Sequence, residues 1–178
     1  KRAYAVIYPA IKSELQKNDK FFIVADKQSA NTFVFNPDGS LFMYSKTLFS
    51  AGIGDFLKGD NNVVANRITP AGLFDLGLRD AKRSVDEAAT AGEYDFGKVF
   101  VLDKSQMGQN GPYSTTIMHS VWTHEKDAKQ RLAALQKPGA EDSRYSFGCI
   151  NVDKNTYGQL VTHNLRSEEH TSELQSRL

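Results

Sequence analysis

The chain has 178 residues, 40% of them hydrophobic, enough for one domain with a buried core and too few for two. Lys and Arg number 22 against 21 Asp and Glu, for a net charge of +1, and the two signs are interspersed, so the basic patch of a nucleic-acid binder is missing. No apolar run reaches the length of a membrane span, and a single cysteine excludes both an internal disulfide and a cysteine-rich zinc site.

Residues 1–19 form an N-terminal segment. Its start, KRAYAVIYPAIKSEL, is broken by Pro9, Lys12 and Glu14 before it could serve as the apolar core of an export signal. Because Lys1 is not an initiator methionine, this says nothing against export. FFIVAD (21–26) and TFVFN (32–36) are rich in aromatic and β-branched residues. The turn signal NPDGS (36–40) joins the second run to LFMYSKTLF (41–49), so the first third is expected to be a β-meander. SAGIGD (50–55) is followed by a polar loop and by NRITPAGLFDL (66–76), where Pro70 and Gly72 punctuate a strand-like run. Residues 79–91 read as a weak helix. KVFVLD (98–103) and STTIMHS (114–120) return to strand character across the glycine-rich loop MGQNGP.

HEKDAKQRLAALQK (124–137) has the clearest helical period. Ala128, Leu132 and Leu135 share one face, Glu125/Lys129 and Asp127/Arg131 pair on the other, and Pro138-Gly139 ends the run. A second helix is expected from Asp153, whose side chain can cap DKNTYGQLV and set Tyr157, Leu160 and Val161 on the core. Residues 166–176, RSEEHTSELQS, read as an in-frame translation of a sequencing-library adapter. Residues 166–178 are therefore taken as a non-native tail in which His170 has no role, and the folded domain is expected over 20–165.

The lone cysteine sits in SRYSFGCINV (143–152). A cysteine nucleophile needs a base, a group that orients the base, and donors for the oxyanion formed on the attacked carbonyl. His119 ends the strand IMHSVW and could face Cys149 if the intervening segment doubles back, as a helix at 124–137 would make it do. The Ser120 carbonyl could fix the imidazole tautomer, Gly148 permits close backbone approach, and Ser146 and Tyr145 could add hydrogen bonds. On the residues alone, a lone cysteine is more often a buried small apolar residue than a nucleophile, and a histidine on an apolar strand is more often a satisfied core histidine. His119 and His124, five positions apart across a strand–helix junction with no carboxylate beside them, are a poor metal pair, so no metal is expected. A papain-like arrangement is disfavoured, because it puts its cysteine near the start of the chain.

IMHSVW together with SRYSFGCINV resembles the signature of the L,D-transpeptidases, the YkuD-type catalytic domains: a His-Ser at one strand end, then Ser-x-Gly-Cys-hydrophobic-Asn or Arg at the next. FFIVADKQSANTFVF resembles the family's opening hairpin, SAGIG with ITPAGLFDL its TG…TPTGxF segment, and GPYSTTIMHS the strand carrying the histidine. The likeness spans most of residues 20–162. It implies a mainly β catalytic domain, sandwich-like or barrel-like, with short helices and an inserted helix near 124–137.

Residue by residue, the resemblance makes Cys149 the nucleophile, His119 its base and the Ser120 carbonyl the group that orients the base. The N–H groups of Gly148 and Cys149 would form the oxyanion hole, and Ser146 and Asn151 would brace the cysteine loop. Phe147 stands where the family often has histidine, which removes a polar partner near the thiol, and the His-to-Cys segment is longer than usual. The implied reaction is acyl transfer on peptidoglycan stem peptides, cleaving the diaminopimelate–D-Ala bond and passing the acyl group to an amine or to water. It needs no metal or organic cofactor, and the protein would act as a monomer in the periplasm or cell wall. Tyr113 and Phe147 are candidate substrate contacts, and MGQNGPY a candidate lid. The rival is a peptidoglycan-binding module of the same fold whose chemistry Phe147 and the insertion have disabled.

Overall fold

The computed structural model describes residues 21–54, 68–69, 71, 74, 76–84, 93–102, 116–123, 128–137, 139–146 and 148–175. Expectations for residues 1–19, for the MGQNGPY loop with Tyr113, and for Phe147 lie outside these described residues.

Three antiparallel strands come first among the described residues: β1 (Phe22–Asp26), β2 (Asn31–Phe35) and β3 (Leu41–Ser50). The β2–β3 turn forms as NPDGS suggests. Gly39 takes φ +85°, Asn36 and Ser40 close the backbone at 2.9 Å, and Asp38 accepts from both the backbone N–H and the hydroxyl of Ser40. Those two donors favour the carboxylate and hold the Asp38 pKa below the usual aspartate value, the Ser40 side chain acting most strongly. Further strands follow: β4 (Leu76–Ser84), β5 (Glu93–Leu102), β6 (Ile117–Ser120), β7 (Arg144–Ser146) and β8 (Ile150–Val152). Helix α1 covers Ala128–Leu135 and helix α2 covers Lys154–Gln175.

The fold is mainly β, as read from the sequence. Among the described residues one eight-stranded sheet, curled into a half-barrel, runs in the order β1-β2-β3-β8-β6-β5-β4, with β7 added in parallel at the end of β3. Residues 79–84 overturn the helical reading of that stretch. They belong to β4, paired antiparallel with β5 from Leu76↔Leu102 to Ser84↔Glu93. LGLRDAKRS is locally suited to a helix, but a ladder along a neighbouring strand outweighs a propensity difference of well under about 1 kcal/mol per residue.

Alternation along the strands divides the sheet into two faces. Phe49, Phe100, Leu102, Met118, Ile150 and Val152 project to one, where Tyr157 and Leu160 of α2 close the main core and Val161 packs at its edge. Leu48, His119 and Asn151 belong to the other face, where Leu48 meets Val121, Ala134 and Leu135. The face that α1 buries differs from the expected one. Leu135 is buried as expected, but Arg131 and Ala134 also turn inward while Leu132 is 44% exposed, so Arg131 lies inside rather than on the outer face. The Leu48–Val121 surface selects this rotation, and the long arginine stem can pack where a shorter polar side chain could not.

Helix α2 starts where the sequence puts it. Asp153 Oδ1 accepts from the N–H groups of Asn155 and Thr156 at 3.0 and 3.2 Å, an N-cap worth about 1 kcal/mol. The Tyr157 hydroxyl lies 2.9 Å from the Lys98 carbonyl and 3.0 Å from that of Met118, tying the helix to β5 and β6 one residue before His119. Burial of each large apolar side chain contributes roughly 1.5–3 kcal/mol against about 1 kcal/mol for that hydroxyl. The apolar core therefore holds α2 down, and the hydroxyl sets its register.

Burial pushes the Tyr157 ionisation well above the ordinary tyrosine value, outweighing the opposing effect of the backbone hydrogen bond. Its folded-state pKa lies above the unfolded one, so its contribution is fully present below about pH 10 and declines as pH rises beyond that. Tyr157→Phe is expected to lower stability by about 1 kcal/mol at neutral pH. In urea titrations between pH 8 and 11 the variant should lose less stability above pH 10 than the parent; equal slopes would exclude this origin.

Candidate active site

Helix α1 returns the chain so that β8 lies parallel to β6, with Met118↔Ile150, His119↔Asn151 and Ser120↔Val152 in register. This crossover answers how two motifs so far apart in sequence can meet. Cys149 directly precedes β8, two residues before Asn151, and period-two alternation places it on the same face as Asn151 and His119. Cys149 is half-buried, whereas His119 is 3% and Asn151 1% exposed.

The His119 ring has a defined direction. Its Nδ1 lies 2.7 Å from the Ser120 carbonyl, which can only accept, so Nδ1 carries the proton in the neutral ring and Nε2 keeps its lone pair. Asn151 Nδ2 approaches Nε2 at 3.4 Å, a long contact that a better donor can displace, while Asn151 Oδ1 is buried with no hydrogen-bond partner among the described residues.

The cysteine turn is built on hydroxyls. Gly148 has φ +124°, a conformation that side-chain-bearing residues rarely adopt, and this lets the chain swing from β7 into β8. Ser146 Oγ donates to the Cys149 carbonyl at 2.5 Å and accepts from Gly148 N–H at 3.2 Å. The Gly148 N–H, expected as an oxyanion donor, is thus turned into the loop toward Ser146. Ala51 N–H holds the Ser146 carbonyl at 2.9 Å, clamping β7 to the end of β3.

Behind the turn lies a pair that the sequence reading did not single out. Thr69 and Ser50 exchange bonds: Thr69 N–H donates to Ser50 Oγ at 2.6 Å, and Ser50 N–H donates to Thr69 Oγ1 at 3.2 Å. Thr69 Oγ1 then donates its proton to the Gly148 carbonyl at 3.1 Å. Lys27, from the β1–β2 turn, donates to the carbonyls of Thr69 at 2.8 Å and Gly54 at 2.6 Å. The signal was available in SAGIG and ITPAG, which were read as a family likeness without a role for either hydroxyl. His163 stacks on Phe42 at 4.4 Å and packs near Phe21 at 5.4 Å.

Among the described residues no group of three or more His, Cys, Asp or Glu side chains gathers as metal ligands, and no helix is long and apolar enough to cross a membrane. Phe147, between Ser146 and Gly148, and Tyr113 lie outside the described residues. Comparison with family models, curated proteins and solved structures yields no match. The site is therefore read from its own chemistry: a half-buried thiol at a strand start, and a buried imidazole with a set tautomer on the adjacent parallel strand.

Two measurements follow from this geometry. Nitrogen-15 spectra of the neutral imidazole should show His119 as the Nδ1–H tautomer, and an Nε2–H signal would contradict the Ser120 contact. Ser146→Ala should lower stability by about 1–3 kcal/mol in urea titration, because it leaves the buried Gly148 N–H and the Cys149 carbonyl without their shared partner; a change within experimental error would remove Ser146 from the turn's support.

Proposed function

We propose that this protein is a cysteine-dependent acyltransferase of the L,D-transpeptidase type, acting on peptidoglycan stem peptides outside the cytoplasmic membrane. The observation that carries the reading is the parallel register of β6 and β8. It sets His119, whose Nδ1 faces the Ser120 carbonyl so that Nε2 is the ring's acceptor, on the same sheet face as Cys149. The identity of the stem-peptide substrate rests on the resemblance of IMHSVW and SRYSFGCINV to that family.

In this mechanism His119 Nε2 takes the Sγ proton of Cys149 and the thiolate attacks the carbonyl of the L-centre of diaminopimelate. The Ser120 carbonyl stabilises the imidazolium that forms, through Nδ1–H. The Cys149 N–H faces the oxygen that becomes negative. Collapse of the tetrahedral intermediate breaks the bond to D-Ala, whose nitrogen leaves with the proton from Nε2, and a thioester remains on Cys149. An amine from a neighbouring stem, giving up a proton to His119, yields a cross-link and regenerates the thiol. Water in its place yields trimming.

Intact-protein mass spectrometry with a purified disaccharide-tetrapeptide tests this. The parent chain should release D-Ala and carry or pass on the tripeptide acyl group, Cys149→Ala should do neither, and His119→Ala should slow release by at least about 100-fold. If the folded parent binds the muropeptide and leaves it intact, the protein is a wall-binding module instead.

A further inference from the structure

We propose that Thr69 is a positioning residue for acyl transfer: its hydroxyl, by holding the Gly148 carbonyl, sets the direction of the Cys149 N–H that receives the oxyanion. The inference rests on the acyl-transfer reading above and adds to it a residue from a distant part of the chain.

The argument is one of peptide geometry. The Gly148–Cys149 peptide is trans, as are the peptides of the described residues, so its C=O and N–H point in opposite directions. Whatever fixes the carbonyl fixes the N–H. Among the described residues that carbonyl accepts from Thr69 Oγ1 at 3.1 Å. On its N-terminal side the peptide joins a glycine at φ +124°, where no Cβ resists rotation of the plane. A hydrogen bond is therefore needed to select one orientation.

Thr69 is itself closely held. It is 1% exposed, its N–H is on Ser50 Oγ, its carbonyl is on Lys27 Nζ, and its Oγ1 accepts from Ser50 N–H. With that acceptor role filled, the single hydroxyl proton goes to Gly148, and β-branching limits the rotamers through which it could turn elsewhere. Ser146 Oγ holds the next carbonyl, that of Cys149. Two successive peptide planes at the nucleophile are thus held by two hydroxyls, and Thr69 governs the one whose N–H belongs to Cys149.

Two reagents separate orientation of this donor from general reactivity of the thiol. With p-nitrophenyl acetate the thiolate attacks the ester carbonyl, p-nitrophenolate leaves, and a thioester forms through a tetrahedral oxyanion. With iodoacetamide the thiolate displaces iodide at carbon and no oxyanion develops. Thr69→Val should slow acylation of Cys149 by roughly 10- to 100-fold while alkylation stays within about twofold of the parent. Thr69→Ser, which keeps the hydroxyl, should restore acylation to within about threefold. The Thr69→Ser and Thr69→Ala pair isolates the hydroxyl if the valine variant does not fold. The Cys149 amide signal in nitrogen-15 spectra should move in the variants lacking the hydroxyl and return with serine.

Acylation at the parental rate without the hydroxyl, or parallel loss of both reactivities in a folded variant, overturns the role of Thr69. A parent that is alkylated but acylates no faster than free cysteine overturns the acyl-transfer reading itself.

Discussion

The pairing of two short parallel strands carries the rest of the site. β6 and β8 share only three register pairs, yet those pairs place His119 beside Asn151 and, through the two-residue step back to Cys149, bring imidazole and thiol to one face. Parallel strands cannot be joined by a tight turn, so the chain between them must leave the sheet and return. Helix α1 makes that return. It packs on Leu48, whose register partner on β8 is Asn151, and so lies on the same face as the site rather than on a remote surface. On the opposite face α2 presses Tyr157 and Leu160 against β6, which carries His119, and β8, which follows Cys149. The histidine strand is thus fixed from behind by apolar packing and from its flank by β8, and little freedom is left for the ring except the choice of tautomer, which the Ser120 carbonyl makes.

The cysteine turn follows a different economy, that of hydroxyl protons. Ser146, Thr69 and Ser50 each accept from one backbone N–H, and each has a carbonyl to receive its single proton: Cys149, Gly148 and Gly52 respectively. A charged side chain in these places would carry a large desolvation cost, and an amide would present groups that the turn has no means to satisfy. Small hydroxyls satisfy irregular backbone where no ladder can form. They also draw in parts of the chain far apart in sequence, so the end of β3, the Thr69 segment and β7 converge on the residues flanking Cys149.

How much of this could be read from the sequence depends on whether the cause was local. The meander, the NPDGS turn and the Asp153 cap were legible because their hydrogen bonds lie within a few residues. Cys149, His119, Ser120, Ser146, Gly148 and Asn151 were singled out from two short motifs, and the structure sets them together around one strand pair. β4 was misread because helix-favouring residues were held in a ladder by a strand that comes later in the chain. The rotation of α1 was misread because Arg131 was judged by its charge, while its place was decided by the Leu48–Val121 surface. Thr69 and Lys27 were missed for the same reason: the partner of Thr69 is Gly148, 79 positions away, and no periodicity signals such a bond.

Asn151 shows where local satisfaction and chemistry diverge. Its side chain is 1% exposed, its Nδ2 makes only a 3.4 Å contact, and its Oδ1 has no partner among the described residues. A buried carbonyl left in that state costs about 1–3 kcal/mol, which an apolar side chain of the same branched shape would avoid. The cost falls beside the one imidazole nitrogen that changes protonation in the proposed reaction. With neutral His119 the amide offers a donor to Nε2; with the imidazolium, Nε2 becomes a donor, and the oxygen at the other end of the same amide is the acceptor able to meet it. An apolar residue could fill the space, but it could face neither protonation state with a complementary group. Three of the elements at this site, the Ser120 carbonyl, the Thr69 hydroxyl and the Asn151 amide, therefore act on direction rather than on bulk packing, and the apolar cores on the two faces of the sheet supply the rigidity that gives those directions meaning.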